Sequence, residues 1–289
     1  MKKIFKSALF LMAAATMTMG MASCSSDNDD NGPAVKVGDL TEEDYLSKTV
    51  SGIVSNTINA TYAEMAVNAT HFYNQMKTLR DAVDKGNATQ TMVDNACASW
   101  KAARACYEKS EAFLLGAASD YDIDPHIDTW PLDLSALHSQ LLNTTQLARY
   151  TTDDENANID NIHGDLNQNL LGFHSVEFII FRDGAPRKVS SFNSTYDDYN
   201  DRANFMDIKP INELKFGVAV AGDLMGSIYE LEVCWSGGTA EHKAWLDSHE
   251  WKTSMPSSSL TYGENMKNAG KSGSLYTSVK SVLIAPLWN

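Results

Sequence analysis

Apolar side chains recur at intervals of three and four residues along most of the chain, the spacing that aligns side chains on one face of an α-helix. Over residues 41–83 the pattern predicts one long helix or two joined helices, preceded by an acidic cap and ended by Gly86. A second helix is predicted from about Thr89 to Leu115. A further long helix follows Pro210 and reaches residue 235, after which two glycines end it.

The remaining segments carry weaker helical patterns. Residues 120–133 contain two prolines and five aspartates, which forbid a continuous helix there. Asp133 or Ser135 then caps a short helix, a polar segment covers residues 151–161, and a last helix begins at about Leu275. Because no segment alternates convincingly between apolar and polar positions, the sequence predicts an all-α fold with antiparallel neighbouring helices.

The run from residue 170 to 182 places His174 and Glu177 three residues apart among apolar side chains. In a helix the two side chains share one face. The β-branched and aromatic content of residues 176–181 is also typical of a strand, so the helical prediction depends on the helical surroundings. Burying an imidazole and a carboxylate here is costly unless they bind each other, a partner side chain or a metal ion.

The second predicted helix carries a polar stripe. Trp100, Arg104, Glu108 and Glu111 follow one another at spacings of four, four and three residues, so they lie along one face. The stripe is either a solvated face, with an Arg104–Glu108 pair worth about 0.2–0.5 kcal/mol, or one wall of a cleft. The aspartate-rich loop that follows the helix would complete such a cleft.

The N-terminus has the layout of a secretory signal peptide over residues 1–23, with three early lysines, an apolar run and a small-residue end. The cysteine after these small residues resembles a bacterial lipobox, which implies that Cys24 becomes a lipidated, membrane-anchored N-terminus. Residues 24–43 are predicted to form a flexible acidic tether. Their acidity resembles the surface-export signals of Bacteroidetes lipoproteins.

The net charge excludes some classes of binding partner, and the cysteine count bears on disulfide bonding. Removal of residues 1–23 takes away three lysines and no acidic residue, so the net charge changes from −14 to −17. That charge argues against nucleic acid and anionic membrane surfaces as partners. Beyond Cys24, the chain has three cysteines, Cys97, Cys106 and Cys234, an odd number that does not indicate a disulfide scaffold. They are predicted to be small apolar residues between helices.

Hydrolytic motifs can be checked directly against the sequence. The chain has no HExxH zinc motif, and the inverted HxxEH begins correctly at His174 but has Phe178 where the second histidine stands. It also lacks a GxSxG elbow, a Walker phosphate loop and a CxxC pair. A metal ion at His174 and Glu177 would therefore need further ligands from another helix or loop.

Several stretches, taken in order, resemble the imelysin family. They are the 100–113 stripe, the loop IDPHIDTWPLD at 123–133, Gly172-x-His174-x-x-Glu177 (the family's GxHxxE motif), Ala-Gly-Asp-Leu at 221–224 with Trp235, and Tyr-Gly-Glu-Asn-Met at 262–266. The resemblance implies two packed helical bundles, a site near their junction and an envelope protein tied to iron acquisition. It also implies classification among the metallopeptidases.

By position, the resemblance maps the family's metal-site residues onto His174, Glu177, Glu108 and Glu111. Gly172, Arg104, Asp128 and Trp130 are the predicted neighbours of that site. The implied cofactor is a divalent metal ion, iron or zinc.

The resemblance also suggests a division of the chain. The first bundle, with GxHxxE, is expected over residues 44–200 and the second over residues 201–289. The family normally continues with further helices beyond this region, so the second bundle is expected to be incomplete.

Three functions remain open at this stage. The first is a lipoprotein of the outer membrane, at the cell surface or the periplasmic face, that binds iron or an iron-bearing ligand and passes it to an uptake partner in the envelope. The second is a zinc peptidase in which a carboxylate acts as general base to a metal-bound water. The third is a surface scaffold or adhesin in which His174 and Glu177 are structural.

Overall fold

Helices dominate the chain in a computed structural model, which describes residues 36–197, 205–251 and 259–284. The predicted signal peptide, Cys24, most of the acidic tether and residues 285–289 lie outside these ranges. The predicted boundary between bundles at residue 200 also lies outside them. Strands in the described residues are limited to two antiparallel pairs, β1 (Lys36–Val37) with β2 (Leu40–Thr41) and β3 (Phe181–Arg182) with β4 (Ala185–Pro186). The all-α prediction is confirmed.

The N-terminal half begins with three long helices whose ends follow local capping signals. Helix α1 (Glu42–Ile53) starts after Thr41, whose side chain accepts a hydrogen bond from the Asp44 backbone at 3.1 Å. A π-helical turn leads without a break into α2 (Asn59–Asp84), so the predicted long helix is two joined helices. Helix α3 (Gln90–Ser110) is capped by Thr89 and continues as a 3₁₀ turn over Glu111–Phe113.

Shorter helices connect α3 to the GxHxxE segment. They are α4 (Ala117–Asp120), α5 (Ile123–Asp128), α6 (Leu134–Leu142), α7 (Thr144–Tyr150), α8 (Glu155–Asp165) and α9 (Gly172–Ile180). Asp133, and not Ser135, caps α6 by accepting from the Ala136 backbone. Most of the predicted polar segment is helical, because Ile159 and Ile162 of α8 are buried against the rest of the protein.

The GxHxxE segment is helical as far as Ile180 and then becomes extended in β3. The helical prediction is therefore confirmed for His174 and Glu177. Of residues 176–181, which have a strand-like composition, only Phe181 lies in a strand, where it pairs with Pro186 of β4.

The C-terminal half is organised around one long buried helix. The helices here are α10 (Val189–Phe192), α11 (Pro210–Ser236), α12 (Ala240–Ser248), α13 (Tyr262–Lys267) and α14 (Val279–Ile284). Helix α11 starts with proline and ends at Gly237 in the left-handed conformation, as predicted. The last helix begins later than predicted, at Val279, because residues 275–278 form bends and irregular backbone.

Helix α11 is buried on almost every side and packs mainly against α2, α9 and α8. Its apolar side chains belong to one continuous core that contains residues from α1 through α14. Cys97, Cys106 and Cys234 are free and buried in this core, as predicted. Among the described helices, none is both long enough and apolar enough to cross a membrane.

Candidate metal site

Gly172 brings helix α5 against the start of α9. Its φ of +69° is a left-handed conformation that glycine adopts without strain. A Cβ atom here would lie 2.1 Å from the backbone oxygen of Ile127, a distance that no side chain can occupy. The glycine of GxHxxE therefore permits backbone contact between the two helices. As a consequence, Asp128 at the end of α5 lies beside His174 in the first turn of α9.

His174 is held between two carboxylates. Its Nε2 lies 3.2 Å from Oδ1 of Asp128, and its Nδ1 lies 3.1 Å from Oε2 of Glu177. The side chain is only 16% exposed. The hydrogen bond with Asp128, followed by that with Glu177, raises the pKa of His174 to about 9 despite the opposing effect of burial. At neutral pH the metal-free side chain is thus an imidazolium.

Arg104 connects the stripe on α3 to this histidine. Its Nε donates to Oε1 of Glu108 at 2.5 Å, and its Nη1 donates to Oδ1 of Asp128. Its guanidinium also lies against the rings of Tyr107 and Phe173. Burial acts to raise the pKa of Asp128, but the hydrogen bonds from His174 and Arg104 outweigh it, so the pKa is lowered. Asp128 is therefore a carboxylate.

Two tryptophans complete the surroundings of His174. Trp100 Nε1 donates to the backbone oxygen of Phe173 at 3.0 Å, which fixes α3 against α9. The Trp130 ring lies 4.7 Å from the His174 ring and is 71% exposed. The polar stripe on α3 therefore forms one wall of a packed site through Trp100 and Arg104, while Glu108 remains half exposed to solvent.

The structure brings some of the predicted residues together and leaves one apart. Asp128, Glu177 and Trp130 contact His174 directly, and Glu108 joins the group through Arg104. Glu111 is exposed, and it is not among the contacts of His174 within the described residues. The α-helical register ends at Ser110, so Glu111 lies in the 3₁₀ turn and does not continue the stripe. The assignment of Glu108 and Glu111 as ligands stays a prediction.

His174 and Glu177 line an open cleft of about 440 Å³. The other residues that line it are Trp100, Lys101, Trp130, Leu132, Leu134, Phe178, Phe181, Arg182, Asp183 and Gly184. Sequence reasoning did not identify Lys101, Arg182 or Asp183. Lys101 directly follows Trp100 of the stripe, whereas Arg182 and Asp183 belong to the turn after α9, where no sequence motif marks them.

The donor set suits a divalent transition metal. One imidazole nitrogen with carboxylate oxygens is the ligand chemistry of iron(II) and zinc more than of calcium. The two ring nitrogens face different carboxylates, so an ion at one nitrogen leaves the other to be oriented by its carboxylate. Glu177 lines the cleft and Asp128 does not. The residues present therefore fit an ion held by His174 Nδ1 and Glu177, with Asp128 orienting the ring.

Two known proteins are similar to this chain in sequence or in structure. A curated protein, iron-regulated protein A from Synechococcus elongatus, is 29% identical over 91 residues, which are 32% of this chain and 24% of that protein. A crystal structure of a candidate iron-regulated protein A precursor from Parabacteroides distasonis superposes with a TM-score of 0.61 and 26% identity. The match covers 85% of this chain and 56% of the crystallised one.

The alignments thus span about a quarter of the curated relative and about half of the crystallised protein. Residues 58–267 match the Imelysin (Peptidase M75) family. That range is most of the described chain and includes α2 to α13 with the whole GxHxxE segment. The resemblance predicted from the sequence is confirmed, and the chain belongs to the Imelysin family.

Proposed function

We propose that this protein binds a divalent metal ion, iron(II) or zinc, in the cleft beside His174 and serves iron acquisition at the cell envelope. The observation that carries the proposal is the His174 ring, with carboxylate oxygens 3.1 Å from Nδ1 and 3.2 Å from Nε2. Such a ring is already oriented for coordination, and the cleft gives an ion access to Glu177.

A metal ion would compete with a proton at this site. The pKa of His174 is raised to about 9 by its two carboxylates, so an ion takes Nδ1 only when the proton on that atom has left. Metal affinity is therefore expected to increase with pH up to that value. The guanidinium of Arg104 already pairs with the Asp128 carboxylate, so it partly neutralises the negative charge that Asp128 would present to the ion. Glu177 is the more available anionic ligand.

The role in iron acquisition is supported by the names of the similar proteins, both described as iron-regulated protein A. The predicted signal peptide and Cys24 support anchoring in the outer membrane, at the cell surface or the periplasmic face. In this position the protein would receive iron or an iron-bearing ligand and pass it to an uptake partner in the envelope.

Metal content tests the proposal. The full chain is purified in detergent, exposed to iron(II) without oxygen or to zinc, dialysed and analysed by mass spectrometry. His174→Ala is expected to retain one ion per chain fewer than the wild type. His138→Ala is the matched control, because His138 also pairs with a carboxylate, Asp207 at 2.8 Å, but does not line the cleft. Equal metal content in wild type and His174→Ala would reject the proposal. Cleavage of a peptide by the metal-loaded wild type alone would move the protein to the peptidase class.

A further inference from the structure

Three elements outside the cleft bring two imidazoles onto one buried carboxylate. Asp223 of α11 is fully buried. Its Oδ2 lies 2.8 Å from Nε2 of His126 in α5, and its Oδ1 lies 2.8 Å from Nδ1 of His163 in α8. The three ligand atoms all lie within 4.8 Å of one another. Among the described residues, this is the group of three histidine, cysteine or acidic side chains whose ligand atoms lie this close together, and it shares no residue with the cleft at His174.

We propose that His126, His163 and Asp223 form a second metal site, which takes a divalent transition-metal ion of the zinc or iron(II) class. Two imidazoles and one carboxylate are the three protein ligands of many zinc and non-haem iron(II) centres, which leave further positions open to water or another ligand. This inference does not rest on the ion proposed at His174.

The distances suit coordination. Metal–ligand bonds of about 2.0–2.2 Å place neighbouring ligand atoms roughly 3.0–3.5 Å apart. The two nitrogen–oxygen separations of 2.8 Å are close to this range, so small side-chain movements would bring the atoms around one ion. Both nitrogens now face the carboxylate as donors, and coordination requires that each proton leave for solvent or for the other ring nitrogen.

The charge of the cluster also suits a cation. The imidazoles lower the pKa of Asp223 against the opposing effect of burial, so this buried group is a carboxylate. Glu230, two turns further along α11, is partly buried and has no hydrogen-bond or ion-pair partner in the part of the chain that the structure describes. It interacts electrostatically with both His163 and His126. Burial raises the pKa of Glu230, and positive charge on the imidazoles opposes this effect, so a divalent ion held beside them would favour the carboxylate form of Glu230 in the same way.

Small residues in α11 make the cluster possible. A Cβ at Gly222 would lie 2.4 Å from Cδ1 of Ile159, so this glycine lets α8, which carries His163, approach α11 closely. A Cβ at Gly226 would lie 2.5 Å from the Trp251 ring, which stacks on His163 at 3.8 Å. The stacked ring fixes the orientation of that imidazole, while 37% of the His163 side chain remains exposed as a route for an ion.

Zinc binding by variants of the full chain tests the inference at pH 7.5. Zinc is measured by equilibrium dialysis and mass spectrometry for the wild type, His163→Gln, His174→Ala and the double variant. His174→Ala is expected to keep one zinc ion, and the double variant is expected to lose it with a fall in affinity of more than about 100-fold. His138→Gln, which removes a histidine–aspartate pair of the same length elsewhere, should bind as the wild type does.

The outcomes separate the two proposed sites. Loss of one ion in His163→Gln but no change in His174→Ala would support the present inference and reject the ion at His174. Retention of the remaining ion when His163→Gln is added to His174→Ala would overturn the present inference. A measurement on the wild type does not depend on whether the variants fold. Wild-type crystals soaked in zinc should give an anomalous difference peak between His126, His163 and Asp223. No peak there would equally overturn the proposal.

Discussion

At the scale of single residues, the charged groups around His174 determine its ionisation state. Asp128 and Glu177 bind its two ring nitrogens, and Arg104 binds the same oxygen of Asp128, Oδ1, that faces His174. The local pair, His174 with Glu177, follows from a spacing of three residues in a helix and could be predicted from the sequence. The contact with Asp128 could not, because it depends on how α5 packs against α9.

The ionisation of His174 can be measured in metal-free protein. Its folded pKa is raised from 6.5 to about 9, so the imidazolium stabilises the folded state fully below pH 6.5 and this contribution is lost as the pH rises through 9. At about 1.4 kcal/mol per pKa unit, the loss is on the order of 3 kcal/mol. Urea unfolding in the presence of a chelator, at pH 6 and pH 9.5, gives the free energy of unfolding for the wild type and for His174→Gln.

The pH dependence of the unfolding free energy of His174→Gln is subtracted from that of the wild type. The difference isolates the contribution of His174 from those of other groups that titrate in this interval. The difference in unfolding free energy between wild type and His174→Gln should shrink as the pH rises. In an NMR titration, the ring protons of His174 should move with a midpoint near pH 9, and in Asp128→Asn the midpoint should fall. A midpoint near 6.5 in the wild type would contradict the geometry described here.

At the scale of elements, the close contact between α5 and α9 depends on Gly172. Gly172→Ala should destabilise the protein by about 2–4 kcal/mol, because its Cβ would meet the Ile127 backbone and its φ of +69° is unfavourable for alanine. Gly86→Ala is the matched control, since Gly86 has the same φ of +69° but an open surrounding. It should cost only about 1–2 kcal/mol. Thermal and urea unfolding measure the stability of both variants. Equal losses of unfolding free energy would show that the backbone contact does not contribute to stability.

The limits of sequence prediction are also clearest at this scale. Helices α3 and α11 were predicted well because their ends are marked by local signals, Thr89 at one start and Gly237 at one end. Helix α8 was not predicted, because only Ile159 and Ile162 mark its apolar face. Its position depends on Gly222 of α11, which is distant in sequence. For the same reason, the contact of His163 with Asp223 has no sequence signal.

At the scale of the whole molecule, a buried ionic network joins the segments that follow α9 to the first turn of α11. Arg187 is 2% exposed, and its Nη1 donates to Oε2 of Glu213 at 2.7 Å. Its Nη2 lies 3.0 Å from Oδ2 of Asp197. Arg182, which lines the cleft, pairs with the same two carboxylates. The network thus ties the turn beside the candidate metal site to the central helix.

Removing one guanidinium should therefore destabilise the entire fold. In Arg187→Met, Asp197 and Glu213 would each lose one of the guanidinium groups that bind them. Removing one partner from a buried ion pair costs about 3–5 kcal/mol. Arg149→Met is the surface control, because Arg149 pairs with Asp165 at 2.9 Å while 54% of its side chain is exposed, so its loss should cost at most about 1 kcal/mol. Tryptophan fluorescence and far-UV circular dichroism in urea follow the unfolding. Since one continuous core includes α1 through α14, both probes should shift together in Arg187→Met. A shift in fluorescence alone would mean that the network stabilises only its own neighbourhood.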